Sequence, residues 1–195
     1  MRVIAGKYRS RPLKTLRGSK LRPTSDRLRE TLFDILAGEV AGSVFVDVYA
    51  GTGAVGIEAV SRGAREVFFI ESHRAAVHLI GRNLRDLGIV LGAEVITADA
   101  VTGLKYLAGR GQRAEIVFLD PPYEHALDYA RALQFLDGSR LLEPGGRVIV
   151  EHPRKKGPRG PDLDALAATL ERLERTRVVE QGSASLSFFA IRNPD

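Results

Sequence analysis

Residues 43–62 read SVFVDVYAGTGAVGIEAVSR, and the change of pattern within this stretch decides the fold. The first half, SVFVDVY, is almost continuously apolar, as a strand buried on both faces must be. The second half places Gly51, Gly53 and Gly56 in G-x-G-x-x-G spacing and opens an apolar helix running to about Arg62. Glycines there permit positive φ and let a ligand approach the backbone at a helix N-terminus. Strand, glycine turn and helix in this order form a βα unit of an open parallel sheet.

The same alternation continues downstream. EVFFIE (66–71), AEVITAD (93–99), EIVFLD (115–120) and GGRVIVEH (145–152) are the next strands. Between them lie helices at 74–87, about 101–109 and 125–136. LDALAATLERLE (163–174) is predicted as one further helix. TRVVEQG and SASLSFFAIR then form an antiparallel hairpin around a short turn. Five βα units with apolar strands give an α/β fold with a mostly parallel sheet. The hairpin that replaces a sixth unit is its distinctive part.

Upstream, Pro23, Thr24, Ser25 and Asp26 supply entry and capping groups for a helix carrying Leu28, Leu32, Ile35 and Leu36 at helical spacing. Residues 1–30 hold ten basic side chains against Asp26 and Glu30, a net +8 in a chain of net +5. The remaining 165 residues are thus slightly acidic. Apolar residues interleave with these charges in VIAGKY and PLKTL, so the arm is expected to fold as two short strands around a basic turn. Such an arm suits a phosphate backbone. The division expected is a basic extension, 1–38, and a catalytic domain, 39–195.

Other classes lose support. The hydrophobic fraction of 44% and charged fraction of 27% are ordinary for a globular chain and give no case for disorder. No apolar run reaches the roughly 18 residues of a membrane span. The N-terminus lacks a signal-peptide pattern. Without cysteine there is no thiolate nucleophile, disulfide or thiolate metal site. His73, His78, His125 and His152 show no metal-ligand spacing. A cytoplasmic, metal-free monomer is the expectation.

The glycine turn alone leaves two cofactors open, because Glu71 ends the second strand where a ribose-binding carboxylate belongs in either an NAD site or another nucleoside site. Asp47 shifts the balance. A carboxylate before the turn suits a cationic ligand without phosphate better than a pyrophosphate, and S-adenosylmethionine carries a sulfonium, an ammonium and a ribose diol. Asp99, near the end of the third strand, is placed to accept from the adenine amino group.

The fourth strand ends in Asp120-Pro121-Pro122-Tyr123. The prolines fix φ and hold their neighbours extended. The Asp120 carboxylate and the Pro121 carbonyl are thereby aimed as two acceptors, and Tyr123 offers a stacking face. An exocyclic amine gripped by two acceptors has its lone pair localised for attack on a methyl sulfonium. The tetrad suits guanine and adenine equally.

DPPY (120–123), DVYAGTGAVGIEA (47–59) and RPTSDRLRETLFDIL (22–36), together with GKYRSRPLKT near the start, resemble the RsmD-type small-subunit ribosomal RNA guanine-N2 methyltransferases. The first two motifs are shared by many amino-methyltransferases; the N-terminal block is the specific part. The resemblance implies a Rossmann-like class I methyltransferase fold with seven strands and an antiparallel C-terminal hairpin. It implies S-adenosylmethionine as donor, S-adenosylhomocysteine as product, and guanine N2 of 16S ribosomal RNA in the 30S particle as target. Carried over, Arg22, Pro23, Thr24, Asp47, Tyr49, Gly51, Gly53, Glu71, Ser72, Asp99 and Ala100 line the cofactor site, with Asp120 to Tyr123 at the amine. Tyr49 departs from the phenylalanine more often expected there. Arg2, Lys7, Arg9, Arg11 and Lys14 of the arm, and Arg154, Lys155 and Lys156 of the loop after the fifth strand, are the candidate RNA contacts. Three other readings stay open: an adenine-amine methyltransferase, an NAD-dependent oxidoreductase and a non-catalytic RNA-binding assembly factor.

Overall fold

The computed structural model describes residues 1–15, 25–154 and 160–192. Its elements in chain order are α1 (Asp26–Ile35), β1 (Val44–Val48), α2 (Ala54–Ser61), β2 (Glu66–Glu71), α3 (Arg74–Leu87), β3 (Ala93–Thr97) and α4 (Ala100–Gly109). There follow β4 (Ala114–Leu119), α5 (Ala126–Gly138), β5 (Leu142–Pro153), α6 (Leu163–Ala167), β6 (Leu173–Gln181) and β7 (Ala184–Ile191). The strands form a seven-stranded sheet in the order β3-β2-β1-β4-β5-β7-β6. The pairs β1–β2, β2–β3 and β4–β5 are parallel, whereas β7 runs antiparallel to both β5 and β6. The α/β class, the mostly parallel sheet and the terminal hairpin are as the sequence predicts. Among the described residues, no helix is long and apolar enough to cross a membrane.

The chain divides into two compact units, Met1–Asp99 and Ala100–Asp195. The arm and α1 fall inside the first. There, every residue of β1 is buried. On α1, the Ser25 hydroxyl accepts from the Leu28 N–H, and Leu28, Leu32 and Phe33 are buried. Phe33 stacks on Phe45 of β1 with ring centroids 6.1 Å apart. Each such large apolar side chain contributes about 1.5–3 kcal/mol on burial.

The arm folds back on itself with a single antiparallel bridge, Arg2 opposite Pro12, in place of the two short strands expected: Val3 N–H donates to Arg11 O, Ser10 N–H to Val3 O and Leu13 N–H to Met1 O. Val3 and Leu13 are its buried apolar anchors. The main hold on it is Glu58, which is fully buried on α2. Its carboxylate accepts from the N–H groups of Ile4 (2.8 Å) and Ala5 (2.9 Å) and from Arg62 Nε (2.9 Å). Arg29, also fully buried, brings Nη1 to 3.8 Å from it. Ser61, one turn further on, accepts from Tyr8 N–H and donates to Ala5 O. The arm also passes so close to α2 that a Cβ on Gly6 would lie 1.9 Å from Ser61 O.

In the second unit, β4 and β5 run in register from Ile116 opposite Arg147 to Leu119 opposite Val150. The helix predicted over 163–174 is corrected here: α6 stops at Ala167 and β6 begins at Leu173. The apolar period does continue, but Asp137 at the end of α5 intercepts the backbone. Its carboxylate accepts from the N–H groups of Glu171, Arg172 and Leu173 at 2.7–3.0 Å. Those groups are lost to any helix, and the chain leaves extended.

Candidate active site

The glycine turn holds three left-handed residues within five positions, Tyr49 (φ 63°), Gly51 (φ 55°) and Gly53 (φ 77°). For a tyrosine this conformation is costly and rare. The three glycines of the motif have different physical reasons. A Cβ on Gly56 would fall 2.3 Å from the Phe69 ring, so Gly56 is required by helix–strand packing. At Gly53 the positive φ would strain any other residue, and a Cβ would press on Ile80 at 3.2 Å. At Gly51 a Cβ would meet only Tyr49 O at 3.8 Å, which leaves backbone that a ligand can approach closely.

Asp47 is not where a ligand-facing acid was expected. Only 2% exposed, it turns beneath the loop and accepts from the Gly56 N–H at 2.8 Å. The reason is local. The N-cap of α2 is Gly53, which has no side chain to cap with, and the strand acid supplies the missing acceptor. Burial pushes the Asp47 carboxyl up to about 8; the Gly56 N–H opposes this, and the negative charge of Glu71 adds to it. The folded protein therefore keeps a proton that the unfolded chain releases above its ordinary value of 3.8. Stability accordingly falls as pH rises from about 4 to about 8. Asp47→Asn is expected to flatten that decline. A series of urea midpoints across the interval, unchanged in slope by the substitution, would count against this account.

Glu71, ending β2, closes over the turn: Oε2 accepts from Gly51 N–H (2.8 Å) and Oε1 from His73 N–H (2.7 Å). A carboxylate offers about four lone-pair sites, so further acceptance by both oxygens is available to a diol. Ser72 and Asp99 are exposed, and Ala100 begins α4. This acceptor-rich set fits the ribose and ammonium of S-adenosylmethionine better than the pyrophosphate of a dinucleotide, because the turn supplies no cation. Arg22, Pro23 and Thr24 lie outside the described residues.

In the second unit, the tetrad follows directly on β4, and three of its members are held by hydrogen bonds. The buried Tyr129 of α5 donates its hydroxyl to the Pro121 carbonyl at 3.1 Å. Pro122 O accepts from the His125 N–H at 2.9 Å. Tyr123 donates its hydroxyl to Glu151 Oε1 at 3.1 Å, and Glu151 is 5% exposed at the end of β5. The Pro121 carbonyl, expected to face an amine, thus already takes one bond; its second lone pair remains for a ligand.

The arm's cations are exposed at Arg2, Lys7, Arg9, Arg11 and Lys14. Two are partly committed: Lys14 Nζ pairs with Asp86, and Arg11 Nη2 donates to Asp86 O at 3.1 Å. Lys14 also holds the Asp86 carboxyl below its ordinary value. Lys7 lies 5.3 Å over the Tyr8 ring. A cleft of about 420 Å³ runs along the arm, with Arg2, Arg9 and Arg62 facing Asp26, Glu30 and Asp34. None of its lining residues belongs to the glycine turn. Arg154 pairs with Glu180 at 2.6 Å, and Lys155 and Lys156 lie outside the described residues. Among the described residues, no group of three or more His, Cys, Asp or Glu could hold a metal ion.

Sequence reasoning passed over Glu58, Tyr129 and the bond from Glu151. An acid inside the apolar run AVGIEAV was a signal for Glu58, and one closing VIVE for Glu151; Tyr129 looks like any core aromatic.

Comparison with known proteins completes the picture. A family model described as conserved hypothetical protein 95 matches residues 1–189. Proteins named ribosomal RNA small subunit methyltransferase D from Haemophilus influenzae and Escherichia coli K12 are 36% and 35% identical over 157 residues. Those alignments span 80% of this chain and 80% and 77% of the two relatives. The chain belongs to the RsmD-type family. A solved structure of a Thermus thermophilus hypothetical protein is similar to it with a TM-score of 0.78 and 31% identity, covering 98% of this chain and 99% of the other. The family match spans the arm as well as the sheet, so the basic hairpin is part of the RsmD-type fold and no private addition of this chain.

Proposed function

We propose that this protein transfers a methyl group from S-adenosylmethionine to the exocyclic N2 of a guanine in 16S ribosomal RNA, releasing S-adenosylhomocysteine. The target is the assembled or assembling 30S particle, where ribosomal proteins complete the recognition surface, and the enzyme acts as a cytoplasmic monomer without metal. The observation that carries this reading is the fixed tetrad, Asp120 to Tyr123, in a chain whose curated relatives are named for methylation of small-subunit ribosomal RNA.

When bound, the cofactor would supply a methyl on a sulfonium: the amine nitrogen bonds to the methyl carbon as the carbon–sulfur bond breaks, the thioether leaves as S-adenosylhomocysteine, and the nitrogen then loses one proton to water. Glu71 would hold the ribose diol, Asp99 and Ala100 would hold the adenine, and the backbone at Gly51 and Gly53 would receive the methionine portion. Tyr49 and Ser72 would border the cofactor, Asp47 supports the turn from below, and Arg22 to Thr24 are assigned to its methionine end by the family resemblance. Asp120 and the Pro121 carbonyl each accept one N–H of the amine, which turns its lone pair out of conjugation. Pro122 keeps the loop from yielding, and Tyr123 stacks on a base drawn from its helix. Arg2, Lys7, Arg9, Arg11, Lys14, Arg154, Lys155 and Lys156 neutralise phosphates.

The test is incubation with radiolabelled S-adenosylmethionine and small subunits from cells lacking this protein, followed by nucleoside analysis. Label is expected in N2-methylguanosine. Label in N6-methyladenosine, or none, overturns the proposal.

A further inference from the structure

Guanine and adenine both present an amine, so the tetrad alone does not choose between them. They differ beside it: N1 of guanine is a donor next to the N2 amine, whereas N1 of adenine is an acceptor. A site that selects guanine therefore needs a second acceptor adjacent to the one gripping the amine.

The second unit holds such a group. Leu119 of β4 lies opposite Val150 of β5 in parallel register, so Asp120 and Glu151 are the next residues on the two neighbouring strands. Adjacent strands lie about 4.8 Å apart, a span that suits two carboxylates reading neighbouring donors of one base edge. Glu151 is tied to the stacking residue as well, through the Tyr123 hydroxyl on Oε1. Accepting that bond uses one of about four lone-pair sites on the carboxylate. Its burial, at 5% exposed, argues against a solvated surface acid.

We propose that Glu151 is the guanine-selecting residue, its carboxylate accepting from the N1–H of the target base while Asp120 and the Pro121 carbonyl hold N2. The inference rests on the guanine-N2 reading above and deepens it. An adenine in the same place would set its N1 lone pair against the carboxylate, and the bond would be replaced by repulsion. The Tyr123 hydroxyl, donating to the same group, restrains the carboxylate beside the ring on which the base would stack.

The experiment uses reconstituted small subunits carrying either guanine or 2,6-diaminopurine at the methylated position. The analogue keeps the N2 amine but has an N1 acceptor. Wild-type protein is expected to lose about 10- to 100-fold in kcat/KM on the analogue, the scale for an unmet buried hydrogen bond. Glu151→Gln still accepts from Tyr123, and its amide can donate to an N1 acceptor, so the preference is expected to shrink to within about threefold. S-adenosylhomocysteine affinity and thermal midpoint, measured alongside, report on folding. Equal wild-type rates on the two bases, or an unchanged preference in Glu151→Gln, overturn the assignment and leave guanine methylation standing. A residue that only braced Tyr123 would give the second of these results. No N2 methylation by wild type on the guanine particle instead overturns the functional reading itself.

Discussion

Asp120→Ala is expected to lower the rate of methyl transfer about a thousandfold or more, with S-adenosylhomocysteine affinity kept within a few-fold. Positioned acceptors and charge contribute roughly 10²- to 10³-fold each, and in the proposed reaction Asp120 would supply both a bond to the amine and a negative charge beside the nitrogen as it turns cationic. On the proposed reading the cofactor contacts lie on other residues, Glu71 and the turn at Gly51 foremost, so binding is expected to be largely indifferent to the change. Single-turnover kinetics beside calorimetric titration separates the two quantities. Parallel loss of cofactor affinity would show that Asp120 serves the donor and not the amine.

The second large effect belongs to Glu58. Its replacement by Ala takes a buried carboxylate away from the fully buried Arg29, which keeps Asp26 Oδ1 at 2.7 Å and Arg2 O at 2.9 Å. It also removes the acceptor for the N–H groups of Ile4 and Ala5. Leaving a buried donor without its acceptor costs about 1–3 kcal/mol. Glu58→Gln keeps an acceptor oxygen and should cost less. Urea denaturation gives the stability change, and tryptic cleavage within residues 1–15 reports release of the arm. A loss below about 1 kcal/mol would mean that Val3, Leu13, Ser61 and Asn83 seat the hairpin without help from Glu58.

Much of this was readable from local pattern. Strand–turn–helix at 43–62, the tetrad after β4 and the hairpin of the arm are encoded over short stretches, where periodicity and glycine spacing act directly. What escaped was long-range. The early end of α6 depends on Asp137, more than thirty residues from the N–H groups that it captures. The orientation of Asp47 follows from the absent side chain at Gly53, which makes the helix N-terminus compete for the acid with any ligand. Tyr129 reaches the Pro121 carbonyl from eight residues away, across a turn that no spacing rule anticipates. In each case a backbone group needing a partner selected a side chain that composition had assigned elsewhere.

Asn83, on α3 and 1% exposed, brings one such bond back to the arm. Its side-chain oxygen accepts from the Lys14 N–H, and its Nδ2 donates both to Lys14 O and to Thr52 O within the glycine turn, at 2.9–3.1 Å. With Glu58 and Ser61 holding the other end, the hairpin is stitched to the framework of the glycine turn at several points. It is therefore a poor candidate for modular exchange. A homologous arm transplanted without matching residues at 58, 61 and 83 would arrive with its backbone unsatisfied, so substrate-reading and donor-holding parts are expected to have diversified together.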